Sequence, residues 1–264
     1  MKKYLINSLG ILILIVLLFN ITEVKVFDEA LKTPISGVKV NNFLTNEQGI
    51  AKFLDLNFNQ FLIFERIGYQ ATKLKIGIKP IYRVIQVNLT EGDLSYIKEQ
   101  INIWASKVSK YKYELTNSET GYSYTFVQVI NGEDKYTKTI TNQNGQITER
   151  EIFVISGRVY TRENGRQIQE ITENKEDFLA DNLVIIPLVD VINEFLASVN
   201  EKVKYETPTK FIFSSSDSKN TLTLNLSNNG IPSEFTLENI NGNKRETVNL
   251  KIDLDNVEVN LDEN

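Results

Sequence analysis

Short apolar and polar alternations, each closed by a small polar turn cluster, recur through the second half of the chain. No other feature constrains its fold as much. Asn142-Gln143-Asn144-Gly145, Ser156-Gly157, Glu163-Asn164-Gly165, Asn228-Asn229-Gly230 and Asn241-Gly242-Asn243 all lie between such runs. Asn-Gly and Ser-Gly pairs accept the left-handed backbone that tight hairpin turns require. The runs between them alternate with a period of two: Tyr111, Tyr113 and Leu115; Tyr122, Tyr124 and Phe126; Lys135 to Thr141 with Ile147 to Ile155; Arg158 to Thr161; Gln167 to Ile171. After an interruption come Phe211 to Phe213, then Leu222, Leu224 and Leu226, then Phe235 and Leu237, then Val248, Leu250, Ile252 and Leu254. This period lays one face of each strand on a core. Connections this short make sequential neighbours pair antiparallel. Val257, Val259 and Leu261 continue out of phase by one residue, which predicts a bulge or kink near Asp255-Asn256.

Two stretches break the period and read as helix. Asp93 precedes Leu94, Ile97, Ile101, Trp104, Val108 and Tyr111, spaced by three and four. That spacing gives one amphipathic helix with Asp93 as its N-cap and an apolar stripe lying on a sheet. Lys175 to Val199 is the second stretch, rich in Phe, Leu, Ile and Val, with a break or kink expected at Pro187. A helix this apolar needs cover on more than one side.

The segment from 24 to 91 carries its own set of strands: Val24 to Val26, Val38 to Val40, Ile50 to Leu56, Phe61 to Phe64 as a buried strand, Leu74 to Ile76, and Val84 to Leu89. Pro34 presets a turn, Gly37 and Gly49 suit positive φ, and Asn46 can bond the backbone two residues on. Thr33-Pro34-Ile35-Ser36-Gly37-Val38-Lys39-Val40, then Thr45-Asn46-Glu47-Gln48-Gly49, then Ile67-Gly68-Tyr69 and a closing strand ending at Leu89 carry a resemblance. This segment resembles the carboxypeptidase regulatory-like domain, with Asn46 where that family usually has aspartate. The resemblance implies an all-β, transthyretin-like sandwich acting as a structural or spacer module rather than as a peptidase.

From 92 to 264 the order is helix, meander, apolar helical pair, meander. It resembles the Lol-type lipoprotein-carrier fold and related lipid-carrying lipoproteins. Local echoes are Gln128-Val129-Ile130-Asn131-Gly132-Glu133, Phe153-Val154-Ile155-Ser156-Gly157-Arg158-Val159-Tyr160 and the ending Val248 to Leu261. The resemblance implies an α+β domain whose curved antiparallel sheet, an incomplete barrel, packs on helices around an apolar ligand. The candidate lining is Ile97, Ile101, Trp104, Val108, Tyr124, Ile186, Val189 and Phe195.

Met1-Lys2-Lys3 precedes an apolar run from Tyr4 to Ile21 without a polar side chain between Leu9 and Phe19. Lysines before such a run are the layout of a signal sequence or membrane anchor. No small-residue pair of the kind a signal peptidase reads lies before Glu23, which favours an uncleaved anchor. The expected organisation is therefore a hydrophobic N-terminal helix over 1–23, a sandwich over 24–91 and the carrier-like domain over 92–264. The body of the protein would lie outside the cytoplasm, tethered to the membrane, or secreted if the segment is cleaved.

Composition narrows the chemistry. The chain has 264 residues, no cysteine and no histidine. Thiolate metal sites, cysteine nucleophiles, histidine bases and histidine zinc sites are excluded. A net charge of −5 offers no footprint for nucleic acid. Asp253, Asp255, Glu258 and Asp262 lack calcium-loop spacing, and Glu149, Arg150, Glu151, Arg162, Glu163 and Arg166 read as an exposed sheet face. The expectation is a non-enzyme without cofactor or metal, binding a lipid or lipid-linked molecule. The other reading is a cell-envelope structural or protein-interaction module with a filled core. Neither the ligand nor a protein partner is legible.

Overall fold

The computed structural model describes residues 21–54, 60–76, 83–217, 219–241 and 244–254. The N-terminal run up to Asn20, and the acidic and out-of-phase positions from Asp255 onward, lie outside these. Among the described residues no helix is long and apolar enough to cross a membrane. The chain is mostly strand and divides into two compact units. Of the described residues, one comprises those from Ile21 to Ile97 with 205–210 and 226–231, and the other comprises the remainder.

The first unit holds two sheets. β1 (Ile21–Asp28) lies between β4 (Ile50–Leu54), antiparallel, and β7 (Arg83–Leu89), parallel. β2 (Lys39–Val40), β3 (Phe43–Leu44), β5 (Gln60–Arg66) and β6 (Tyr69–Ile76) form the other in the order β3-β2-β5-β6. Val24, Val26, Ile35, Val38, Val40, Phe64, Tyr69 and Leu89 are fully buried between them. Phe43 stacks on Phe53 with ring centroids 4.9 Å apart. Asp28 is buried but fully engaged: Ala30 N and Leu31 N each donate to Oδ1 at 2.7 Å, and Tyr69 Oη donates to Oδ2 at 2.7 Å.

The turn chemistry expected here is present. Gly37 and Gly49 have φ of 66° and 69°. Asn46 Oδ1 accepts from Gln48 N at 3.1 Å and Ile50 N at 2.9 Å. Gly37 has a second constraint. A Cβ there would stand 2.4 Å from the Gly230 nitrogen, so the 226–231 segment needs a glycine at 37. Two readings change. β1 starts at Ile21, so the sandwich takes residues 21–23 from the span expected as anchor. Phe61 to Phe64 is not a buried run: Leu62 and Phe64 are buried, whereas Phe61 and Ile63 point outward. A continuous apolar run does not say how many layers cover its strand.

Most of the second unit's strands belong to one open antiparallel sheet of order β13-β12-β11-β10-β9-β8-β18-β17-β16-β15-β14. Its first meander is β8 (Lys110–Asn117), β9 (Ser123–Asn131), β10 (Asp134–Gln143), β11 (Gln146–Ile155), β12 (Arg158–Glu163) and β13 (Gln169–Ile171). The second is β14 (Lys202–Thr207), β15 (Lys210–Ser214), β16 (Asn220–Leu226), β17 (Pro232–Asn241) and β18 (Lys244–Asp253). β18 joins the halves by pairing with β8, Leu250 opposite Leu115 and Ile252 opposite Tyr113. The hairpins turn where the sequence places them, with positive φ at Asn144-Gly145, Ser156-Gly157 and Asn164-Gly165. β14 has no counterpart in the sequence reading, although Val203 and Tyr205 alternate with polar neighbours.

Helix α1 (Leu94–Ala105) is shorter than its apolar spacing predicts. Asp93 caps it, accepting from Tyr96 N at 2.8 Å. It ends in tightened three-residue bonds, Lys107 N to Trp104 O and Val108 N to Ala105 O. Val108 therefore lies in the turn behind the helix, and Tyr111 belongs to β8, opposite Gln128. Strand pairing, which spacing alone cannot register, takes that end of the pattern. The long apolar stretch splits at Pro187 as expected, into α2 (Lys175–Asn182) and α3 (Leu188–Ala197), with 183–187 non-helical. A residue before proline avoids the α conformation, so the break extends upstream of Pro187.

Candidate functional site

Helix α3 is amphipathic. Leu188, Val191, Ile192, Phe195 and Leu196 are buried, and Asp190, Asn193 and Glu194 are exposed. Phe195 lies over the sheet with its ring centroid 6.3 Å from that of Phe235. Lys98 of α1 closes the other end of α3 by donating from Nζ to the Leu196 carbonyl at 2.8 Å and to the Val199 carbonyl. Burial pushes the Lys98 pKa down from its ordinary value.

Beside Phe235 in the sheet order the same face becomes aromatic. Tyr111, Tyr113 and Phe126 are buried, and the Tyr113 ring lies 5.4 Å from Phe126 and 5.9 Å from Tyr124. Burial pushes the Tyr111 and Tyr113 phenols above their ordinary range, so both remain donors at any physiological pH. Tyr111 Oη donates to the Ile186 carbonyl. The Ile186 amide donates to Gln128 Oε1 at 3.0 Å. Both backbone groups of Ile186 are thus fixed to the sheet just before Pro187. Gln128 is 2% exposed and shares the inward face with Tyr124 and Phe126. A polar residue in an otherwise apolar register was its signal in the sequence.

Upstream of this anchor point the chain is less well seated. No residue of α2 is buried; Phe178, Leu179 and Leu183 are half-buried, and Val184 and Ile185 are 48% and 40% exposed. Beneath them the sheet face becomes polar. Thr137, Thr139, Arg150 and Ile152 line a cavity of about 150 Å³ with Asp181, Asn182 and Val184. Arg150 donates to Asn182 Oδ1 at 2.8 Å and to Glu163 Oε1 at 2.7 Å.

The eight residues singled out from the sequence fall in different settings. Ile97 and Ile101 are fully buried on α1, and Ile97 belongs to the first unit. Phe195 is buried on the inner face of α3. Trp104, Val108, Tyr124, Ile186 and Val189 are half-buried. Of these, Tyr124, Ile186 and Phe195 border the aromatic patch through Tyr113, Tyr111 and Phe235 respectively. The candidate lining read from the sequence did not include the polar groups of this region: Gln128, Tyr111, Lys98, Thr137, Thr139 and Arg150.

The opposite sheet face corrects another reading. Glu151 is 2% exposed rather than part of a solvated face. Tyr136 Oη donates to its Oε1 at 2.8 Å, Lys138 Nζ lies 3.4 Å from Oε1, and Arg162 donates to Oε2. Val127, Tyr136 and Phe153 form a buried cluster on this face, with Val129, Ile155 and Tyr160 against it. Strand alternation places Glu151 on the face of Phe153, where the aromatic cluster buries it. Among the described residues no group of three or more acidic side chains could hold a metal ion. No family model matches the chain, and no curated protein is significantly similar to it.

Proposed function

We propose that this is a non-catalytic protein, tethered outside the cytoplasm by its N-terminal apolar run, whose second unit binds an apolar ligand of the lipid or lipid-linked class. The supporting observation is the contrast between α3 and the residues before it. Helix α3 seats five apolar side chains, whereas Phe178, Leu179, Leu183, Val184 and Ile185 remain half-buried or exposed above the sheet. Ile186 is fixed at both backbone groups, so this apolar cover is held in place without being packed down. Each methylene of an acyl chain that it shields from water contributes about 0.8 kcal/mol. The resemblance of 92–264 to lipid carriers points the same way, and the resemblance of 24–91 to a spacer module fits a protein holding its binding unit off a membrane.

The second reading, an envelope interaction module with a filled core, is favoured by the complete burial of Ile97, Ile101, Phe235 and Leu250. Residues without exposed surface border no space that a ligand could enter. The test is organic extraction and mass spectrometry of the full chain purified from membranes, alongside Val184→Arg. Val184 is exposed, so the change should leave thermal unfolding intact while lowering copurified lipid at least fivefold. A wild-type chain that carries no lipid, and binds none of a long-chain fluorescent probe at micromolar concentration, would decide for the filled-core module.

A further inference from the structure

The first unit has an apolar face of its own. In β5, Phe61 and Ile63 point outward, 45% and 41% exposed, while Leu62 and Phe64 face the core. Register places Lys75 opposite Phe61 and Lys73 opposite Ile63. Directly opposed residues share a face, and Lys73 Nζ stands 4.1 Å from the Phe61 ring centroid. Further along the same face Glu65 lies 3.9 Å from Lys39, so its charge is already met. Two lysines thus flank two exposed apolar side chains in a chain whose net charge is −5.

Topology fixes which end of the unit this is. β1 begins with Ile21 opposite Leu54, the end of β4, and Thr22 opposite Arg83, the start of β7. β5 begins with Gln60 opposite Ile76, the end of β6. Leu54 to Gln60 and Ile76 to Arg83 are short steps in sequence, so these strand ends gather at one end of the unit. Phe61 and Lys75 lie at that end. Phe19, the last residue of the uninterrupted apolar run, precedes Ile21 by only two positions. A membrane-spanning run would leave no linker between the bilayer and this end of the sandwich.

We propose that this face docks on an anionic phospholipid surface. Phe61 and Ile63 enter the interface while Lys73 and Lys75 meet the phosphates. The inference rests on the anchor reading for where the bilayer lies. Apolar side chains flanked by lysines suit an interface, since the lysine stems lie along apolar surface and the ammonium groups reach the headgroups. Each lysine near an anionic surface strengthens association about fivefold, an effect that salt screens.

The chain has no cysteine, so one introduced cysteine can be labelled alone. Full-length Ile63→Cys carries an environment-sensitive fluorophore on phosphatidylcholine vesicles with or without phosphatidylglycerol. Gln48→Cys, in the turn before β4 at the other end of the unit, is the control. The label at 63 should shift to the blue and be quenched by spin-labelled lipid on the anionic vesicles. The label at 48 should not respond. Lys73→Glu with Lys75→Glu should reduce the response at 63 by more than tenfold. Equal responses at 63 and 48, or a response indifferent to the lysine changes, would overturn the proposal. The lysines would then serve only to keep edge strand β6 from pairing with another chain. Flotation on neutral vesicles in high salt reports the anchor separately. If it fails, flotation on anionic vesicles that is lost in the double variant still supports the docking face, and flotation that the variant retains refutes it.

Discussion

Glu151 shows how much a single buried charge depends on its neighbours. Burial alone would push its carboxyl up. The hydrogen bonds from Arg162 and Tyr136, and the charge of Lys138, outweigh this and hold it below the ordinary glutamate value. A carboxyl depressed in the folded state stabilises the fold above its unfolded pKa, and the contribution is lost as pH falls through the folded value. Stability should therefore decline as pH drops below the ordinary glutamate value of 4.5. Glu151→Gln should flatten that acid limb in urea unfolding and cost about 2 kcal/mol at neutral pH, the worth of a hydrogen bond to a charged group. A variant that unfolds in acid as steeply as wild type would assign the acid limb to other carboxyls.

Helix ends and helix breaks, rather than helix interiors, shape the candidate site. The last carbonyls of α3 have no partner within the helix; Lys98 donates to that of Leu196 and also to the Val199 carbonyl just beyond the helix end. A cation at a helix C-terminus also meets the negative end of the helix dipole. Lys98→Met keeps the stem and removes these bonds. It should cost about 1–3 kcal/mol and speed amide exchange through α3, measurable by hydrogen–deuterium exchange, while leaving β10 and β11 unaffected. Exchange that rises uniformly over the unit would indicate global destabilisation instead.

The first compact unit is discontinuous in sequence. The close approach of 226–231 requires glycine at 37, and Gly92 N donates at 2.9 Å to the buried Tyr205 hydroxyl, which also bonds the Gly68 carbonyl. Arg66 donates to the Pro208 carbonyl, and burial lowers its pKa to about 10. A fragment of residues 21–97 keeps both sheets but loses Tyr205 to Lys210 and Leu226 to Ile231. It should lack a cooperative urea transition by circular dichroism under conditions where the full chain shows one. A sharp transition in the fragment would establish the sandwich as an independent folding unit.

Local chemistry determined the parts of this protein that depend on neighbours in sequence. Asn-Gly and Ser-Gly pairs set the hairpins through their tolerance of positive φ, Asp93 began α1, and Pro187 divided the apolar stretch. A tight turn or a cap involves only a few consecutive residues, so its physics is complete within them. The missing cysteine and histidine limited the chemistry in the same direct way. Facing and burial were decided only by tertiary structure. Val108 and Tyr111 fit the spacing of α1, yet β9 claims Tyr111 for a sheet. Phe61 and Ile63 are as apolar as Leu62 and Phe64, but only one side of their sheet is covered. Glu151 lies in a run of charged residues, yet aromatic rings and two cations close around it, and Ile186 gains its anchors from residues far away in the chain, Tyr111 and Gln128. Sequence period gives the side of an element on which a residue lies, whereas burial depends on what the rest of the chain brings to that side.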